Sequence, residues 1–201
     1  MKRNKQAELI RQMSTKELTF HLLVSQCILL IIALIIGIFL FNHLSAFFSL
    51  FRLEWSIITL GLTSGILVVL IDVFLMKILP KHYYDDGGIN ERIFANRSVA
   101  SIALLSIIIA FSEEILFRGV LQTHFGLIIT SIIFAIVHVR YWSHWFLITN
   151  VLVLSFWIGL VYEFSGNNLL VPITMHFTID FLLGLVIQYN VNGSGREDDE
   201  K

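Results

Sequence analysis

Residues 21–41 contain no Asp, Glu, Lys or Arg. A helix crosses the hydrocarbon core of a bilayer with about 20 predominantly apolar residues, so this stretch alone makes a membrane the expected solvent. Five more apolar stretches follow, at 55–76, 98–122, 127–139, 145–164 and 169–189. Asp72 interrupts the second, the third is apolar as far as Glu113, and the fourth is short for a span. Charged residues make up 14% of the chain and hydrophobic ones 56%, whereas a soluble domain carries about 25% charged. Runs this long and unbroken do not alternate as the strands of a membrane barrel do. A helix, by contrast, satisfies its own backbone polar groups within hydrocarbon. The expected fold is all-α, a multi-pass transmembrane helix bundle of about six spans.

Four segments are expected: a cytoplasmic N-terminal segment at 1–20, two spans and a loop at 21–97, a second half at 98–190, and a polar, disordered tail at 191–201. Two aspartates followed by two glycines, Asp85 to Gly88, punctuate the loop. Pro172 falls in the first turn of the last stretch, where proline is tolerated. The charged stretch from Lys2 to Glu17 is long and mixed, with no small-residue cleavage site after the apolar run. The first run therefore reads as a retained span of a cell-membrane protein rather than as a signal peptide. Lys2, Arg3, Lys5, Arg11 and Lys16 argue for a cytoplasmic N-terminus. Lys77, Lys81, Arg92 and Arg97 then return to the same side after two spans. The third span runs outward and carries Glu113 toward the outer leaflet. The net charge of −1 gives no electrostatic case for a nucleic-acid partner. The lone Cys27 forms no internal disulfide.

Ionisable groups within spans are costly and therefore mark function by default. Glu114 and Arg118 are one helical turn apart, with the acid N-terminal to the base, and neutralise each other. Glu113 is turned about 100° from Glu114. A carboxylate without a bonded cation in a low dielectric is suited to general-base work near neutral pH. Phe134 and His138 are also one turn apart, as are His176 and Asp180 in the middle of the last stretch. Against these stand blander readings: solvated glutamates at a helix end, an interfacial histidine beside Arg140, Tyr141 and Trp142, and a structural His–Asp pair between helices. Asp72 reads as a structural bond to another helix, and His124 and His144 as interfacial. Together the three pairs offer two carboxylates and two imidazoles from separate helices, enough to hold a water and polarise a carbonyl. No His-Glu-x-x-His run is present, which disfavours a zincin. Ser64, between Gly61 and Gly65, lacks a convincing histidine partner.

In this order the three motifs resemble a known family. Glu113-Glu114-Ile115-Leu116-Phe117-Arg118 looks like its Glu-Glu-x-x-x-Arg motif, Phe134 to His138 like Phe-x-x-x-His, and His176 to Asp180 like His-x-x-x-Asn or Asp. The family is that of the CAAX proteases and bacteriocin-processing enzymes, also called Abi. It includes eukaryotic type II CAAX prenyl endopeptidases and many bacterial proteins, some of them bacteriocin-immunity proteins. The resemblance covers roughly residues 98–187 and makes the second half a CAAX-protease-like core. It implies that Glu113 activates water and that Glu114 and Arg118 form a supporting ion pair. His138 and His176 would hold the water and stabilise the oxyanion. Asp180 stands where many members have Asn; an amide donates to an oxyanion, whereas an Asp does so only when protonated.

The resulting expectation is a bacterial-type intramembrane glutamic endopeptidase acting on a peptide or membrane-protein substrate, with the lipid bilayer as its setting and no cofactor. Zinc held by Glu113, His138 and His176 is the alternative. A non-catalytic bacteriocin-immunity or scaffolding protein could use the same polar groups. A proton-relaying transporter is a third reading, weakened because no inverted repeat is visible.

Overall fold

The computed structural model describes residues 12–142 and 144–199, with the backbone alone for 191–199. Ser14 opens the first helix. Its hydroxyl accepts from the backbone N–H of Glu17 at 3.3 Å, and the Glu17 carboxylate accepts from the Ser14 N–H at 2.6 Å. This capping box satisfies donors that a helix start leaves unpaired. Helix α1, Thr15–Leu40, therefore begins ahead of the apolar stretch, and 15–20 belong to it rather than to a separate N-terminal segment. Lys2, Arg3, Lys5 and Arg11, on which the cytoplasmic assignment leans, lie outside the described residues.

The remaining helices are α2 (Leu44–Phe48), a π-helical turn Ile57–Leu62 running into α3 (Thr63–Ile78), and α4 (Ile89–Phe94). Next come α5 (Val99–Glu114), continued by a second π-helical segment Ile115–Gln122, α6 (Thr123–Val137), α7 (Trp145–Phe164) and α8 (Leu170–Asp199). No strand occurs among the described residues. The α3–α5 connection behaves as its aspartates require. Asp85 accepts from the N–H groups of Gly87 and Gly88, and Asp86 accepts from those of Ile89 and Asn90 at the start of α4. Gly87 and Gly88 take φ of 83° and 78°, a left-handed region in which glycine carries no side-chain penalty.

Five stretches are long and apolar enough to cross a membrane: Thr15–Leu40, Ile57–Ile78, Val99–Val137, Trp145–Phe164 and Leu170–Asn190. The 39-residue stretch among them is not straight. Gly126, at φ 78° and ψ 172°, breaks it. Phe117 and Phe134 then meet edge-to-face with ring centroids 4.7 Å apart, whereas a straight helix would hold them about 25 Å apart. The limb after Gly126 thus folds back along the limb before it. Separating the two limbs recovers the six expected segments, the fourth a returning half-helix. The first limb runs from Val99 to Gly126, so Glu113 lies near its middle.

Hydrophobic clusters join the early and late helices. Ala33 of α1 packs with Leu116, Phe117, Val120 and Phe134, and Val69 of α3 with Met175 and Ile179 of α8. The solvent-averse remainder, such as Leu34, Ile38 and Phe39, faces outward, as a bilayer permits. α8 continues as helical backbone to Asp199, so the tail expected to be disordered is helical over 192–199. Extending a nucleated helix fixes one residue per hydrogen bond gained.

Without a hydrophobic drive between helices in lipid, close approach at small residues does the packing. A Cβ on Gly65 would lie 2.8 Å from both the Met175 carbonyl oxygen and Thr178 Cβ of α8, while one on Gly37 meets nothing nearer than 3.8 Å. Gly65→Ala is expected to lower stability by about 1–3 kcal/mol and Gly37→Ala to be nearly neutral. Thermal unfolding of both variants in detergent checks this; equal losses would contradict the packing account.

Candidate active site

Glu113 and Glu114 end α5, where it packs along α8 and the chain passes into π-helical geometry. Such turns are rare and frequent at functional sites; hydropathy periodicity does not reveal them. Glu114 and Arg118 are wholly buried, with Arg118 Nε 3.2 Å from Glu114 Oε2. The contact is ionic, without an aligned hydrogen bond. The Arg118 guanidinium also donates to the Ser155 carbonyl (3.0 Å) and hydroxyl (3.2 Å) on α7, and it stacks 4.9 Å from the centre of the Phe134 ring. The expected pair therefore forms, with a third anchor on α7.

His176 has a partner that the motifs did not single out. Its Nδ1 lies 2.7 Å from Glu114 Oε1, and its Nε2 lies 3.6 Å from Asp180 Oδ2. Glu114 thus sits between Arg118 and His176, and His176 between two carboxylates. Glu113 is buried at 9% exposure and forms no hydrogen bond or ion pair among the described residues. Its charge is close enough to act on His138, His176 and Asp180. His138, just past the end of α6, places Nδ1 2.7 Å from the Phe134 carbonyl. A carbonyl only accepts, so Nδ1 carries the hydrogen and Nε2 is the free nitrogen of the neutral ring. All six predicted residues thus gather in one neighbourhood, contributed by the α5 end, its π-helical extension, the α6 end and α8.

Polar residues continue from this cluster toward the 81–97 loop. The Arg140 guanidinium donates to the Tyr141 hydroxyl and stacks over its ring, and the Tyr141 ring lies parallel to that of His138 at 6.2 Å. Burial works against the charge of Arg140, but Tyr141, Asp86 and Glu113 outweigh it and hold its pKa above the ordinary value. Burial likewise pushes the Tyr141 phenol up. Sequence reasoning treated both only as interfacial neighbours of His138. It also passed over Ser155 and the Gln26–Ser112 hydrogen bond of 2.6 Å that ties α1 to α5. A lone glutamine in an apolar run was the available signal for the latter.

One expectation needs correction. Asp72 makes no bond to another helix among the described residues; the α3–α8 contact is closed by glycine and apolar packing, which leaves the carboxyl half-buried beside it. His124 is exposed, as expected of an interfacial histidine, and its Nδ1 donates to the Val120 carbonyl one turn back along the chain at 2.8 Å. Among the described residues no three His, Cys, Asp or Glu side chains are grouped to hold a metal ion. The Glu113, His138 and His176 set in this arrangement does not fit zinc, which takes at least three protein ligands.

Buried charges on apolar helices, held by partners from other helices, define a membrane protein with a built polar centre. The family model of the type II CAAX prenyl endopeptidases, Rce1-like, matches residues 95–182, a range containing all six residues. The chain belongs to this Rce1-like family of CAAX proteases. A Bacillus subtilis (strain 168) relative, YpbD, described as an uncharacterized protein, is 44% identical over 166 residues, covering 82% of this chain and 87% of its own. No solved structure matches the chain.

Proposed function

We propose that the protein is an intramembrane endopeptidase that hydrolyses peptide bonds of a membrane-associated protein or peptide with a water activated by Glu113. The observation that carries this reading is the division of labour between adjacent carboxylates. Glu114 is held by Arg118 and His176, whereas Glu113 is buried beside them with no bonded partner among the described residues. Glu113 takes a proton from water as the hydroxide adds to the scissile carbonyl, and returns it to the leaving amine. His138, with Nδ1–H committed to Phe134, offers Nε2 to position the water. His176, oriented by Glu114, faces the developing oxyanion with Asp180. No metal takes part. The protein resides in the cell membrane with a cytoplasmic N-terminus, and the polar path through Arg140 and Tyr141 leads from the site toward the 81–97 loop.

The test is hydrolysis of membrane-peptide substrates by purified protein in proteoliposomes containing a chelator. Mass spectrometry of new termini distinguishes a protease from an immunity protein, a scaffold or a transporter. Absence of cleavage above a Glu113→Gln control, or activity restored only by zinc, overturns the reading.

The role of Asp180 has its own test. Two ionised carboxylates close together in a low dielectric repel. With Glu113 as base, Asp180 is paired with His176 or holds a proton, and a protonated Asp donates a hydrogen bond as an Asn amide does. Asp180→Asn is expected to retain most activity, and Asp180→Ala to lose about 10²-fold, the scale of one oxyanion donor. Cleavage rates at equal folded protein decide; an Asn variant as inactive as Glu113→Gln would show that Asp180 acts as a charge.

A further inference from the structure

A second polar feature lies away from the acid–histidine cluster. A cavity of about 430 Å³ opens where the start of α1 meets α4 and the connector after it, and it is lined by Lys16, Thr19, Phe20, Leu23, Arg92 and Arg97 among others, with no acidic residue. Arg97 bridges the elements, donating to the Ile93 carbonyl of α4 and to the Thr19 hydroxyl of α1. Arg92 donates to the Met13 carbonyl. Arg97 keeps its Nη1 and Lys16 its ammonium without a partner among the described residues. Phe20 and Leu23 sit one to two turns deeper on α1, where its charge-free stretch begins, and Phe20 is 63% exposed.

From this layering we infer that the cavity is a binding site for an anionic phospholipid. Cations stand at the level where a phosphodiester lies, and an apolar floor opens toward the acyl region below them. A basic pocket between spanning helices suits an anionic head group. With no carboxylate in the lining, nothing complements the ammonium of a choline or ethanolamine head group. A soluble phosphate would leave Phe20 and Leu23 unused. The bound lipid would tie α1 to α4, whose Phe94 packs near Gly184 on α8, the helix that carries His176 and Asp180.

Native mass spectrometry of the full-length protein in detergent, titrated with phosphatidylglycerol or phosphatidylcholine of the same acyl chains, tests this. Wild type should retain one phosphatidylglycerol about tenfold more tightly than phosphatidylcholine, and Lys16→Gln should weaken it about fivefold, the scale of one interfacial cation. Lys16 has no partner among the described residues whose loss would disturb folding, and Lys81→Gln at the same end of the bundle should change nothing. Phe20→Ser should weaken lipid retention as well. Equal retention of the two lipids, an equal loss in Lys81→Gln, or displacement of the lipid by millimolar inorganic phosphate would each overturn the inference.

Discussion

Glu113→Gln is expected to lower kcat/KM for peptide hydrolysis by about 10⁴-fold, the upper range for removing a positioned general base, while the protein folds as before. The amide has the size of the carboxyl but cannot take the proton from water. Folding is spared because Glu113 has no bonded partner among the described residues, so the change orphans no buried group. Circular dichroism and thermal unfolding would register that sparing, and cleavage assays the loss. Near wild-type cleavage by a folded Glu113→Gln protein would remove Glu113 from the chemistry.

Arg118→Met should act in the opposite manner, through stability first. Arg118 and Glu114 are both wholly buried, and removing one partner of such a pair costs about 3–5 kcal/mol because the other charge stays behind unpaired. The substitution also removes the donors to Ser155 and the cation over Phe134, loosening the hold of the π-helical segment on α7 and α6. Adding Glu114→Gln should restore much of the stability, since no unpaired charge then remains buried, and yet not restore activity, since His176 has lost the carboxylate that orients it. Unfolding of the two single variants and the double variant forms a cycle that isolates the pair term. A single Arg118→Met variant as stable as the double one would mean that the pair does not hold the site together.

The features legible along the chain are those set by local chemistry. Charge-free runs of bilayer length can only be helices in lipid, and they are. Ser14 with Glu17, and Asp85 and Asp86 before the glycines, act on backbone groups three or four residues away, so their effects are written in order along the chain. The Glu114–Arg118 pair is likewise a matter of one turn. Other features depend on how helices meet and so emerge only in the packed fold. Gly126 could have been a helix interruption of any kind; only the packing of Phe134 on Phe117 makes it a reversal that brings His138 back beside Glu113. His176 and Glu114 are 62 residues apart, and no spacing rule predicts which of two adjacent glutamates faces the histidine. That choice rests on the rotation of α5 against α8. It leaves Glu114 held between Arg118 and His176, and Glu113 buried without a bonded partner among the described residues, because two carboxylates about 100° apart on a helix cannot both face the same neighbours.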